Sequence, residues 1–157
     1  MRNTAVLLHN VRSAHNVGAI FRTADAAGVS RIFLTGYTPL PHDRFGRAQK
    51  EIAKTALGAE GFIPWESAAT PKAIISRLRA GGWRIVGVEQ DDAARDFRTF
   101  RVTQPTLFVL GNEVRGLSQS LRRSCDVLLE IPMHGKKESL NVAVAAGIVL
   151  FGVQRRR

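Results

Sequence analysis

Three stretches of this 157-residue chain set short polar side chains and glycines directly against apolar runs, a pattern suited to gripping a small ligand. In residues 131–152, IPMHGKKESLNVAVAAGIVLFG, a proline-bearing strand end enters a Gly/Lys-rich loop. The loop closes on Ser139-Leu140-Asn141, and a small-apolar helix follows. Free backbone N–H groups at a helix N-terminus hold phosphates, carboxylates and other polar groups. Ser139 fits a plain helix cap as well as a ligand contact. Residues 10–23, NVRSAHNVGAIFRT, and residues 107–118, LFVLGNEVRGLS, share the layout of apolar run, polar and Gly loop, then helical pattern. Three such loops would converge at the C-terminal edge of a parallel sheet, where open α/β proteins bind ligands. No G-x-G-x-x-G follows the first strand, which disfavours an ordinary dinucleotide site.

The elements that must position these loops alternate along the chain. Residues 4–9, 31–35, 84–88, 106–110 and 127–131 read as strands. Residues 16–27, closed by Gly28, and 71–80, opened by Pro71 and stopped by Gly81-Gly82, read as helices. Residues 36–46 read as a loop, 48–57 as a helical turn or two, 117–124 as a short helix and 140–154 as the closing helix. Such alternation argues for an α/β fold with a mainly parallel sheet and helices on both faces. The whole of 1–157 reads as a single domain. The last helix is apolar nearly all round, so it must be covered on every side. One small sheet covers one side, and the other predicts a homodimer.

Bulk properties narrow the partners. Lys and Arg number 23 against 13 Asp and Glu, a formal charge of +10 that points to a polyanion, nucleic acid first. The basic residues are dispersed, as in a broad phosphate-contacting face, although a merely solvated basic surface gives the same composition. The one cysteine, Cys125, excludes an internal disulfide. Four scattered histidines show no metal-ligand spacing, so no metal is assigned. No apolar run is long enough to span a bilayer and the N-terminus lacks a signal-peptide pattern, so the expected setting is cytoplasmic.

At the three loops the chain resembles the SPOUT superfamily of RNA methyltransferases, specifically its TrmH/SpoU branch of ribose 2′-O-methyltransferases. The first motif stands here as Asn16-Val17-Gly18-Ala19-Ile20-Phe21-Arg22-Thr23. The second is Gly111-Asn112-Glu113-Val114-Arg115-Gly116-Leu117, and the third runs from Ile131 to Ala145. The resemblance implies a C-terminal trefoil knot, which composition could never show. It also implies S-adenosylmethionine (SAM) held in the knot loops, and a dimer with active sites at its interface. The expected activity is transfer of a methyl group from SAM to a ribose 2′-OH of tRNA or rRNA, with tRNA preferred.

That reading assigns residues. Leu110, Gly111, Asn112, Gly116, Ile131, Met133, Ser139 and Leu140 would bind the cofactor, the two glycines letting backbone approach it closely. Arg22 is the motif arginine, which the resemblance assigns to catalysis, in its own site or across the dimer. A guanidinium stays protonated, so gripping the target phosphate is easier to defend than acting as base. Asn16 would orient Arg22 or the ribose, or else cap a helix. Glu113 would hold Arg22 or Asn16, or else pair with Arg115 or another base. Ser139 and Asn141 would organise the ribose-phosphate or the cofactor. RNA selection is expected from the basic segment 44–54 and the arginines at 155–157. Two alternatives remain: a non-catalytic RNA-binding or assembly protein on this scaffold, and a base-directed SPOUT methyltransferase.

Overall fold

A computed structural model describes residues 3–154. In chain order the elements are β1 (Thr4–His9), α1 (Ala14–Ala26), β2 (Arg31–Thr35), α2 (Lys50–Ala56), β3 (Trp65–Ala68), α3 (Pro71–Ala80), β4 (Arg84–Val88), β5 (Arg95–Asp96), β6 (Thr106–Leu110), α4 (Gln119–Arg123), β7 (Val127–Glu130) and α5 (Val142–Gly152). Seven strands form one sheet in the order β3-β2-β1-β6-β4-β7-β5. Each pairing is parallel, so β1, β2, β4, β6 and β7 end at the same edge.

The apolar runs follow from burial on both faces. Along β1, Val6 and Leu8 enter one core layer with Ile20, Phe21, Ile32, Phe108 and Val149. Ala5 and Leu7 enter the other with Phe33, Ile74, Ile85, Leu107 and Leu121. Thus α1, α2 and α5 contribute to the first layer, and α3 and α4 to the second. Strands β3 and β5 were not expected. Trp65–Ala68 is short and half polar, and Arg95–Asp96 is two residues long, so neither carries the apolar run of a central strand.

Helix boundaries move for local reasons. Ser13, not Asn16, caps α1, its side chain accepting from the Asn16 N–H at 3.1 Å. Asn141, not Ser139, caps α5, accepting from the N–H groups of Ala143 and Val144. The closing helix therefore starts at Val142, and Ser139 stays in the loop. Helix α5 is also not covered on every side within one chain. Val142, Ala146, Val149 and Leu150 are buried, whereas Val144 and Phe151 are 50% and 53% exposed. Among the described residues no helix is long and apolar enough to cross a membrane. The arginines at 155–157, expected to meet RNA, lie outside the described residues.

Candidate active site

A cleft opens at the C-terminal ends of β4, β6 and β7, with about 740 Å³ of empty space continuous with solvent. The eight residues read as cofactor contacts, Leu110, Gly111, Asn112, Gly116, Ile131, Met133, Ser139 and Leu140, all line it. So do Val88, Glu89 and Gln90, which the sequence did not single out. Their signal was positional: residues just past a parallel strand face the ligand edge.

Glycines shape the walls. Gly116 has φ +63°, in the left-handed region that disfavours side chains, and a Cβ there would collide with the Glu89 carboxylate. At Gly111 a Cβ would meet the Gly116 carbonyl oxygen at 2.5 Å. Glu89 accepts from the N–H of Leu117 at 2.7 Å and of Gln90 at 2.9 Å. Gln90 donates its side-chain amide to the Ile131 carbonyl at 2.8 Å, tying the end of β4 to the third motif.

A polar chain joins the three motifs behind the cleft. Glu113 Oε2 accepts from the Arg12 N–H and Oε1 from the Ser13 N–H, both at 3.0 Å. Oε1 also accepts from Asn16 Nδ2 at 3.3 Å, and Asn16 Oδ1 accepts from Asn141 Nδ2 at 3.1 Å. Asn16 is 8% exposed and both ends of its amide are engaged. Partial burial pushes the Glu113 carboxyl up, but the N–H donors of Arg12 and Ser13, with Asn16, outweigh it and hold it below its ordinary value. Of the expectations for Glu113, the structure shows contact with Asn16, and neither contact with Arg22 nor an ion pair with Arg115 within the chain.

Arg22 is not brought to the cleft of its own chain. It lies exposed on α1, in a separate groove with Ala19, Lys54, Thr55 and Phe151. It stands six positions along the helix from Asn16, about 9 Å along the axis. Among the described residues it makes no hydrogen bond or ion pair. Asn16 therefore does not orient Arg22 here; it ties Glu113 to Asn141. Of the histidines beside the motifs, His9 is partly buried, its Nδ1 3.0 Å from the Thr35 hydroxyl, and burial lowers its pKa. Among the described residues no group of three or more His, Cys, Asp or Glu side chains gathers as a metal site.

The chain is similar in sequence and fold to known proteins. Over 152 residues the chain is 36% identical to the 23S rRNA (guanosine-2′-O-)-methyltransferase RlmB of Vibrio parahaemolyticus, covering 97% of this chain and 59% of that protein. The AdoMet-bound rRNA methyltransferase of Sinorhizobium meliloti superposes with a TM-score of 0.87 at 37% identity, over 96% of this chain and 55% of that one. The A. aeolicus TrmH/SpoU tRNA modifying enzyme superposes with a TM-score of 0.84 at 29% identity, over 98% of this chain and 74% of that one. The chain spans about three fifths of the length of the curated relatives it matches. The family model described as the SpoU rRNA Methylase family matches residues 3–151. With the sheet, the cleft and nearly every described residue inside that match, the chain belongs to the SpoU methylase family.

Proposed function

We propose that this chain is a SAM-dependent methyltransferase that modifies a ribose 2′-OH in RNA. The observation that carries the reading is the cleft itself, lined by the second and third motifs and tied to the first by the Glu113–Asn16–Asn141 chain. Its charge favours this ligand class. Glu89, Glu113 and Glu130 line the cleft against a single cation, Arg115, in a chain whose formal charge is +10. Carboxylates repel a phosphate-bearing dinucleotide and suit a cationic, phosphate-free nucleoside such as SAM. When bound, that sulfonium supplies an electrophilic methyl group.

What the protein must add is position, because in-line displacement needs donor and hydroxyl close and collinear. Gly111 and Gly116 admit the ligand against backbone, Ser139 and Leu140 close the cleft, and Asn16, Glu113 and Asn141 fix these loops as positioning residues. Arg22 supplies the charge that grips the target phosphate, and does so in the cleft of a second copy. Its exposure, its freedom from ion pairs within the chain, the open Phe151 beside it and the half-exposed Val144 on α5 support a homodimer. The order β6-β4-β7, with α5 returning to α1 through Asn141 and Asn16, supports a knotted C-terminal third.

The substrate in this reading is tRNA in a cytoplasmic setting. The 23S rRNA activity named for the Vibrio relative favours ribosomal RNA as the second reading. Both are tested by mapping 2′-O-methyl positions in cellular RNA with and without the gene, alongside transfer of labelled methyl from SAM by the purified chain. Label recovered as 2′-O-methylnucleoside is expected. Label on a base overturns the ribose assignment, and SAM binding without transfer to any RNA overturns the enzyme.

A further inference from the structure

Between β2 and α2 the chain builds a small, tightly bonded turn that none of the cleft chemistry uses. His42 and Ala48 pair as an antiparallel bridge, and the Gln49 N–H donates to the Pro41 carbonyl at 2.9 Å. Inside the turn the Asp43 carboxylate accepts from the Phe45 and Arg47 N–H groups at 2.8 and 2.9 Å and from Arg47 Nε at 2.7 Å. Leu40 packs against the core, so the turn is anchored. Yet at its tip stands Phe45, 68% exposed. The Arg44 and Arg47 guanidinium carbons lie 4.8 and 5.1 Å from its ring centroid. Arg47 is neutralised by Asp43, whereas Arg44 makes no hydrogen bond or ion pair among the described residues.

The turn is joined to the cleft. Tyr37, 57% exposed, heads the same loop and its hydroxyl accepts from Asn112 Nδ2 at 3.1 Å. Asn112 lines the cleft, and the loop leaves β2 at the edge where the cleft opens. An exposed aromatic ring flanked by guanidinium groups, one of them without an ion pair, is the arrangement that holds single-stranded nucleic acid: a base stacks in the cluster and the free charge takes the phosphate.

We propose that the Phe45 turn is a stacking site for an unpaired RNA base flanking the nucleotide in the cleft, with Arg44 on the adjoining phosphate. The proposal rests on the RNA reading given above. Its test measures binding of a labelled single-stranded oligouridylate and of an RNA duplex of equal length to the full chain, Phe45→Ala and Phe45→Trp. Phe45→Ala should weaken the single strand about tenfold and Phe45→Trp should retain it, because a stacked base contributes on that scale. Duplex binding and SAM binding should stay unchanged. Wild-type binding that Phe45→Ala leaves intact overturns the stacking site alone, as does an equal loss on strand and duplex, since a duplex hides its base faces. A wild-type chain that binds neither RNA overturns the RNA reading as well.

Discussion

Glu113 shows how much one side chain can organise. Its carboxylate receives successive backbone N–H groups at the entry to α1 and also holds Asn16, so the second motif fixes the first. Charged hydrogen bonds of this kind contribute more than neutral ones, and a lost acceptor strands the donors. Glu113→Gln keeps the shape with one acceptor oxygen and should cost about 1–3 kcal/mol, read from denaturant unfolding at neutral pH. The pH dependence has a definite sign. The folded carboxyl is held below its ordinary value of 4.5, so its contribution is complete above that value. It fades as pH falls through the lower folded value. Acid should therefore erase the difference between Glu113→Gln and the parent, and a gap that persisted in strong acid would contradict the assignment.

Among the elements, the loop after β6 is set by backbone rather than by side chains. Gly116 alone meets both demands there, a positive φ and no Cβ against Glu89. Gly116→Ala should cost about 1–2 kcal/mol from the left-handed conformation. It should also push Glu89 from the Leu117 N–H and narrow the cleft, weakening SAM binding about tenfold or more in calorimetric titration. Full affinity in that variant would place the ligand elsewhere. The sequence already showed this loop, because Gly111 and Gly116 frame polar residues directly after the apolar run of β6, where a parallel strand meets the ligand edge. It did not show Glu89, an ordinary charged residue whose role exists only because β4 pairs beside β6.

For the whole molecule, the separation of Arg22 from the cleft is the decisive feature. An arginine that serves a second copy's cleft predicts complementation. Arg22→Ala alone should abolish methyl transfer while binding SAM normally, and Gly116→Val should fail to bind SAM. Mixing the two after subunit exchange should restore turnover, because each mixed dimer joins one intact Arg22 to one intact cleft. No recovery despite verified mixed dimers would place Arg22 and the cleft in the same chain's chemistry. Exposed apolar residues of α5 point the same way: Phe151 stands open in the Arg22 groove, and Val144 is half exposed on the same helix.

The sequence by itself determined the central parallel strands, the order of helices, the three ligand-edge loops and the basic balance. Each is a local pattern: an apolar run buried on both faces, a polar break, a glycine. It also put the eight lining residues at strand ends and loops that share one edge, since residues following parallel strands meet there. Only the tertiary structure decided what those residues do to one another. It set the strand order that puts Glu89 and Gln90 in the cleft, and it linked Glu113 to Asn16 and Asn16 to Asn141 across gaps of about a hundred residues. It also turned Arg22 away from the cleft of its own chain. Those facts depend on which strands become neighbours, and spacing along the chain carries no such information.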